Sequence, residues 1–144
     1  MTHGTMGRGW TNVLSDVPLF SGLSKRHLNK IAEVAQSQRF PRYTTIVRAG
    51  EPGDTFFVIL NGTVLVRPPG KRATRLGAGD SFGELALLDD APRSATVEAD
   101  DEVFVMLLGR KAFNGILARE PKIAIALLRT LAHRLRTTES SPSH

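Results

Sequence analysis

The chain contains no cysteine among its 144 residues, which excludes disulfide bonds, thiolate metal sites and a cysteine nucleophile. It has only one tryptophan and one tyrosine, and no apolar run long enough to cross a membrane as a helix. The first nine residues lack the apolar core of a signal peptide, and we expect residues 1–12 to form a flexible tail. The lack of cysteine fits a reducing cytoplasm, which is where we expect the protein to act.

The composition is that of one globular domain with a sizeable core. Apolar residues make up 41% of the chain and charged residues 23%. The formal net charge of +5 permits an anionic ligand or partner. The basic residues are scattered and aromatic residues are few. This distribution favours a solvated basic surface over nucleic-acid binding by this chain alone.

The N-terminal part has helical periodicity. Apolar residues recur at three- and four-residue steps across residues 13–38, with an interruption at Pro18 and a candidate N-cap at Ser24. The pattern predicts a short helix, a turn and a longer helix that ends before Pro41.

Short β-prone runs follow, separated by turn residues. The pair Asn61-Gly62 predicts a hairpin between strands at 56–60 and 63–67. Further strands are expected at 44–47, 75–76, 96–98 and 103–108. Many short strands at this spacing indicate a β-sandwich or a barrel.

The C-terminal part is helical again, with a short helix at 111–117 and a longer one at 121–138 that begins at Pro121. The longer helix has an apolar seam of Ala124, Leu128, Leu131, Leu135 and Thr138. The seam could pack on its own domain or form a homodimer. The expected fold class is α+β, mainly a β-sandwich or jelly-roll barrel flanked by N-terminal and C-terminal helices, with residues 139–144 as a flexible tail.

Residues 82–97 carry the clearest chemistry. Gly83 precedes the carboxylate of Glu84, a short apolar turn follows, and Arg93 lies nine residues after the carboxylate. An arginine beside backbone N–H groups can hold a phosphate, and a carboxylate can accept a hydrogen bond from a sugar hydroxyl. The segment could therefore bind a ribose phosphate. The structural alternatives are a salt bridge from Arg93 to Glu84, Asp89 or Asp90, and a helix-terminal role for Glu84.

Catalysis and metal binding are not favoured. Gly79, Ser81 and Gly83 fit the nucleophile-elbow spacing of serine hydrolases, but short strands surround them and His133 is predicted to lie on a helix. The four histidines are too scattered for a metal site. We therefore expect neither an enzyme nor a metal centre.

Residues 82–97 closely resemble the phosphate-binding cassette of the cyclic nucleotide-binding domain family, which includes the sensory domain of the catabolite activator protein and the regulatory subunits of cyclic AMP-dependent kinase. Residues 17–24 resemble the helical entry of that family, and residues 50–64 resemble its first hairpin. The resemblance extends over residues 13–138, which we take as the domain.

The resemblance implies that the ligand is cyclic AMP or cyclic GMP, with no cofactor. Arg93 would pair with the exocyclic phosphate oxygens, Glu84 would accept from the ribose 2′-hydroxyl, and Ser94 could donate to the phosphate or to a guanine. Thr137 and Thr138 fall where a relative's threonine would contact the adenine, with Arg134 and Arg136 as alternative covers of the base. The expected ligand-binding residues are Phe82, Gly83, Glu84, Leu85, Ala86, Arg93, Ser94, Thr137 and Thr138.

In function, the resemblance implies a regulatory sensor in which ligand binding moves the C-terminal helix and controls an effector domain or protein. The alternatives are a module of the same fold that docks or dimerises without binding a nucleotide, and the sensory fragment of a transcription regulator. No membrane partner is expected.

Overall fold

The computed structural model describes residues 7–139 and contains two four-stranded antiparallel sheets with helices at both ends of the chain. The strand orders are β1-β8-β3-β6 and β2-β7-β4-β5. The strands are β1 Gln36–Phe40, β2 Thr45–Val47, β3 Thr55–Asn61, β4 Val64–Arg67, β5 Thr74–Leu76, β6 Ser81–Phe82, β7 Thr96–Ala99 and β8 Val103–Gly109. The predicted β-sandwich flanked by helices is confirmed, and the two sheets do not close into a barrel.

The N-terminal helices are α1 Thr11–Ser15 and α2 Lys25–Val34, with 3-10 turns at Gly7–Trp10 and Pro18–Phe20. The Ser24 side chain accepts from the His27 amide and caps α2 as predicted. The prediction that this helix runs to residue 38 is wrong, because Gln36–Phe40 is strand β1 and pairs with β8. An edge strand carries polar residues on its exposed positions, which hid the strand signal.

The described fold begins before the predicted domain boundary at Val13. Trp10 is 4% exposed and Thr11 6%, and Trp10 belongs to the core between the helices and the sheet. Residues 1–6 and 140–144 of the two expected tails lie outside the described residues.

The predicted hairpin at Asn61-Gly62 is wrong. β3 pairs with β6 and β8, whereas β4 pairs with β5 and β7, so the chain crosses between the sheets at this turn. Gly62 has φ +93°, and a Cβ there would lie 2.3 Å from the carbonyl oxygen of Glu102. The turn residues were identified correctly, but the local sequence did not determine which strand β4 joins.

Strand β3 is apolar on both faces because it separates two cores. Phe56 and Val58 face the helices, and Phe57 and Ile59 face the other sheet. The core between the helices and the sheet and the core between the two sheets therefore share strand β3.

The C-terminal helices are α3 Arg110–Arg119 and α4 Pro121–Glu139. The buried face of α4 is formed by Ile123 and Leu127, and Leu131 packs partly on the helical core. Leu128 and Leu135 of the predicted seam are instead 66% and 64% exposed. The seam as predicted is therefore split between the core and the surface. No helix among residues 7–139 is both long and apolar enough to span a membrane.

Candidate functional site

Residues 82–97 fold as a strand end, a left-handed glycine and a single 3-10 helix. Gly83 has φ +82° and ψ +19° and precedes the 3-10 helix Glu84–Leu87. A Cβ at Gly83 would lie 2.6 Å from Arg93 Nη1 and 3.1 Å from the carbonyl oxygen of Thr55. Both the backbone conformation and the available space therefore require glycine here.

Arg93 is held between this segment and the loop that connects β2 to β3. Its amide donates to the Glu51 carbonyl at 2.9 Å, and its own carbonyl accepts from the Gly50 amide at 2.8 Å. Its Nη2 donates to the Thr55 carbonyl at 2.8 Å. The backbone of Arg93 is thus held by the loop before β3, and its guanidinium is held by the first residue of β3.

Gly53 leaves room for that guanidinium, because a Cβ at Gly53 would lie 2.0 Å from Arg93 Nε. The guanidinium carbon also lies 5.9 Å from the centre of the Phe57 ring. Sequence reasoning missed the roles of Gly53, in the loop before β3, and of Thr55, the first residue of β3, because both are distant from Arg93 in the chain.

The charge of Arg93 is poorly compensated. Burial lowers the pKa of Arg93 from its ordinary value, and the nearby Asp54 carboxylate opposes that shift. Within residues 7–139, no carboxylate forms a salt bridge with Arg93.

The three carboxylates that could have made Arg93 a structural arginine interact elsewhere. Glu84 pairs with Arg134 and Asp90 with Arg110. A carboxylate oxygen of Asp89 accepts from the Ala91 amide at 3.2 Å. The structure therefore does not support the salt-bridge alternative for Arg93.

Two buried side-chain atoms of the described residues lack a hydrogen-bond partner, and both belong to this site. They are Glu84 Oε2 and Arg93 Nε. A buried polar atom that lacks a partner is costly, and such atoms are rare in folded proteins. A ligand with a hydroxyl and an anionic group would satisfy both atoms, because the hydroxyl can donate to Glu84 Oε2 and the anion can accept from Arg93 Nε.

A cavity of about 560 Å³ lies at these residues, within the usual size range of small-molecule sites. Seven of the nine predicted ligand-binding residues line it, and Pro18, Asp89 and Pro92 are among the others. The seven are Phe82, Gly83, Glu84, Leu85, Ala86, Arg93 and Ser94. Leu85 is 55% exposed, so this wall of the cavity is apolar and open.

Phe82 also packs in the inter-sheet core. Its ring stacks on Phe57, with ring centres 4.8 Å apart and an angle of 16° between the planes. Because the ring is engaged in that stack, Phe82 anchors the start of the segment to β3.

Thr137 and Thr138 do not line the cavity. Their hydroxyls donate to the carbonyls of His133 and Arg134 within α4, at 2.9 and 3.0 Å. Arg134 instead reaches the site, with Nη2 at 3.2 Å from Glu84 Oε1. Among the candidate covers from α4, Arg134 thus contacts a residue that lines the cavity.

The nucleophile-elbow pattern has no structural basis. Ser81 lies within strand β6, paired with β3, and not at a turn between a strand and a helix. Among residues 7–139, no three His, Asp or Glu side chains come together as metal ligands.

The sequence matches the profile of the cyclic nucleotide-binding domain over residues 37–120, more than half of its length. The chain belongs to the cyclic nucleotide-binding domain family. The match includes the whole segment 82–97, which we now call the cassette. The resemblance found in the sequence is therefore confirmed.

Two curated relatives are regulatory proteins by name. The chain is 40% identical over 109 residues to a cAMP-dependent protein kinase regulatory subunit of Debaryomyces hansenii, covering 75% of this chain and 24% of that protein. It is 34% identical over 134 residues to a CRP-like cAMP-activated global transcriptional regulator of Mycobacterium tuberculosis, covering 90% of this chain and 60% of that protein. The chain thus spans about a quarter of the first relative and about 60% of the second.

The fold is shared with the N-terminal domain of a transcriptional regulator from Streptomyces coelicolor A3(2). The TM-score is 0.77 at 34% identity, over 88% of this chain and 92% of that one. A domain of this fold therefore also occurs as the N-terminal domain of a transcriptional regulator.

Proposed function

We propose that this domain is a regulatory sensor that binds cyclic AMP or cyclic GMP in the cassette cavity, and that it is not an enzyme. The guanidinium of Arg93 pairs with the exocyclic phosphate oxygens, which suits a planar group with parallel donors. Glu84 accepts from the ribose 2′-hydroxyl. The N–H groups that follow Gly83 face the phosphate.

The observation that carries this proposal is the pair of buried atoms without partners, Glu84 Oε2 and Arg93 Nε. One is an acceptor and the other a donor, and both belong to residues of the same cavity. A ribose phosphate supplies a hydroxyl to the first and an anion beside the second. The phosphate would also offset the burial that lowers the pKa of Arg93.

Cyclic AMP is the preferred ligand of the two. The names of both curated relatives refer to cAMP, which supports this choice. Ser94 lines the cavity and is exposed, so its hydroxyl is available to a phosphate or to a guanine. Ser94 therefore does not exclude cyclic GMP.

The output is a change in the position of α4. Arg134 of α4 already contacts Glu84, the residue that would bind the ribose. A ligand shifts an equilibrium only by its difference in affinity between two states. Contact between α4 and the bound nucleotide would supply that difference, and an effector domain or a separate protein in the cytoplasm would respond to it. Thr137 and Thr138, two further residues of α4, remain candidate base contacts in the closed state.

We also propose that two copies associate through α4. Leu128 and Leu135 are 66% and 64% exposed on this helix, and Ile125 is 48% exposed. Exposed leucines at seven-residue spacing on one helix are typical of a paired helix.

Calorimetric titration of purified, nucleotide-free protein with cyclic AMP and with cyclic GMP tests the proposal. Saturable binding of at least one of them is expected. If neither binds, the domain is better explained as a docking module of the same fold.

A further inference from the structure

Arg110 is the first residue of α3 and contacts both loops that hold Arg93. Its amide donates to the Asp54 carbonyl at 2.7 Å. Its guanidinium Nη1 donates to the Asp89 carbonyl at 2.5 Å and also contacts the Asp90 carboxylate. One residue therefore bonds to the loop before β3 and to the loop before Arg93.

Both loops adjoin Arg93. Gly50 and Glu51 of the first loop bond to the Arg93 backbone, and residues 88–92 of the second precede it directly in the chain. Arg110 itself is not among the residues that line the cavity. It therefore does not contact a ligand in the cavity directly, but it bonds to segments next to Arg93.

We propose that Arg110 is a positioning residue for the phosphate site, joining both loops around Arg93 to the start of α3. This inference rests on the proposed binding of a cyclic nucleotide. A single residue, Glu120, separates α3 from α4, so the same contacts connect the cassette to the helices of the output. If ligand binding displaces either loop, the contacts of Arg110 would transmit that displacement to the N-terminus of α3.

The backbone contacts matter more than the ion pair. The Asp90 side chain is 94% exposed, and an exposed ion pair contributes little because water screens it. The Arg110 side chain is only 24% exposed, and its Nη1 donates to the Asp89 carbonyl as well as to the Asp90 carboxylate, so removing the guanidinium loses both bonds. Loss of the guanidinium should therefore have a larger effect than loss of the Asp90 charge.

The test compares Arg110→Ala with Arg119→Ala, which removes an exposed arginine at the other end of α3. Each variant is titrated with cyclic AMP, and amide deuterium exchange is followed by mass spectrometry in segments 50–55 and 88–94. Arg110→Ala should weaken binding roughly tenfold and speed exchange in both segments, while β4 and β5 keep the wild-type rates. Arg119→Ala should match the wild type in both measurements, and Asp90→Asn should change affinity less than about threefold.

The inference is overturned if Arg110→Ala exchanges like the wild type in both segments, or if its affinity stays within twofold of the wild type. If Arg110→Ala does not fold, Arg110→Lys replaces it; this variant keeps the charge but loses the planar guanidinium, and it should give a smaller loss of the same kind. A wild-type protein that binds no cyclic nucleotide contradicts the proposed function, whereas the exchange measurement still decides whether Arg110 holds the loops.

Discussion

The guanidinium of Arg134 lies 3.2 Å from the Glu84 carboxylate, so α4 contacts the cassette through an ion pair. The Arg134 side chain is 42% exposed and the Glu84 side chain 20% exposed. Because one oxygen of Glu84 takes this contact and the other has no partner, Glu84 can bind Arg134 and a ribose hydroxyl at the same time. This arrangement connects ligand binding to the helix that would carry the signal.

Arg134→Gln should leave the stability of the domain nearly unchanged but reduce the response of α4 to the ligand. We expect the free energy of unfolding to change by less than about 1 kcal/mol, because a partly exposed ion pair contributes little. Cyclic AMP should protect α4 from deuterium exchange less in this variant than in the wild type. Arg129→Gln, at an exposed position on the same helix, is the control. Full ligand-induced protection of α4 in Arg134→Gln would contradict the role of this contact.

Substitutions at the two charged residues of the cassette should weaken binding in a fixed order. Arg93→Ala removes the partner of a buried charge and should cost about 2–5 kcal/mol, or about 30- to several-thousand-fold in affinity. Arg93→Lys keeps the charge but loses the parallel donors, so its loss is smaller. Glu84→Gln should cost least, because the amide oxygen still accepts from a neutral hydroxyl.

Calorimetric titration measures that order, and thermal unfolding of each variant shows whether it folds. The domain should remain folded in all three, because none of the changes removes apolar core. Binding by Arg93→Ala as tight as that of the wild type would show that the phosphate role is wrong.

Gly53→Ala should displace the Arg93 side chain although Arg93 itself is unchanged. The added methyl group would lie 2.0 Å from Arg93 Nε, closer than any real contact, so the guanidinium must shift. We expect weaker binding of cyclic AMP, by about tenfold or more, since misplaced groups lose much of their interaction energy. Gly9→Ala is the matched control, because a Cβ at Gly9 meets no atom within 4 Å. Equal affinity in the two variants would mean that the position of Arg93 is unimportant.

Leu128→Glu and Leu135→Glu test association through α4. Both leucines are exposed, so a charge at either position should leave the fold intact. Leu131 packs partly on the helical core, so a change there would mix folding with assembly. Analytical ultracentrifugation should show a dimer for the wild type and a monomer for each variant. A wild type that sediments as a monomer at high concentration, with and without nucleotide, would contradict the dimer.

The chemistry of the cassette could be read from the sequence because Gly83, Glu84 and Arg93 are close together in the chain. Contacts that join distant segments could not, and these include Gly53 against Arg93 and Arg134 against Glu84. The existence of most strands was clear from alternating apolar residues and turn signals. Their pairing was not, because both faces of β3 are buried and the pattern does not say which sheet the next strand joins.

The most direct test of the central claim is a comparison of cyclic AMP with linear 5′-AMP by calorimetric titration of the nucleotide-free protein. The two ligands share the base and the ribose, and differ in the ring closure and in the charge of the phosphate. If Arg93 and Glu84 hold a cyclic ribose phosphate, cyclic AMP should bind much more tightly than 5′-AMP. Equal affinity for the two nucleotides would contradict the account.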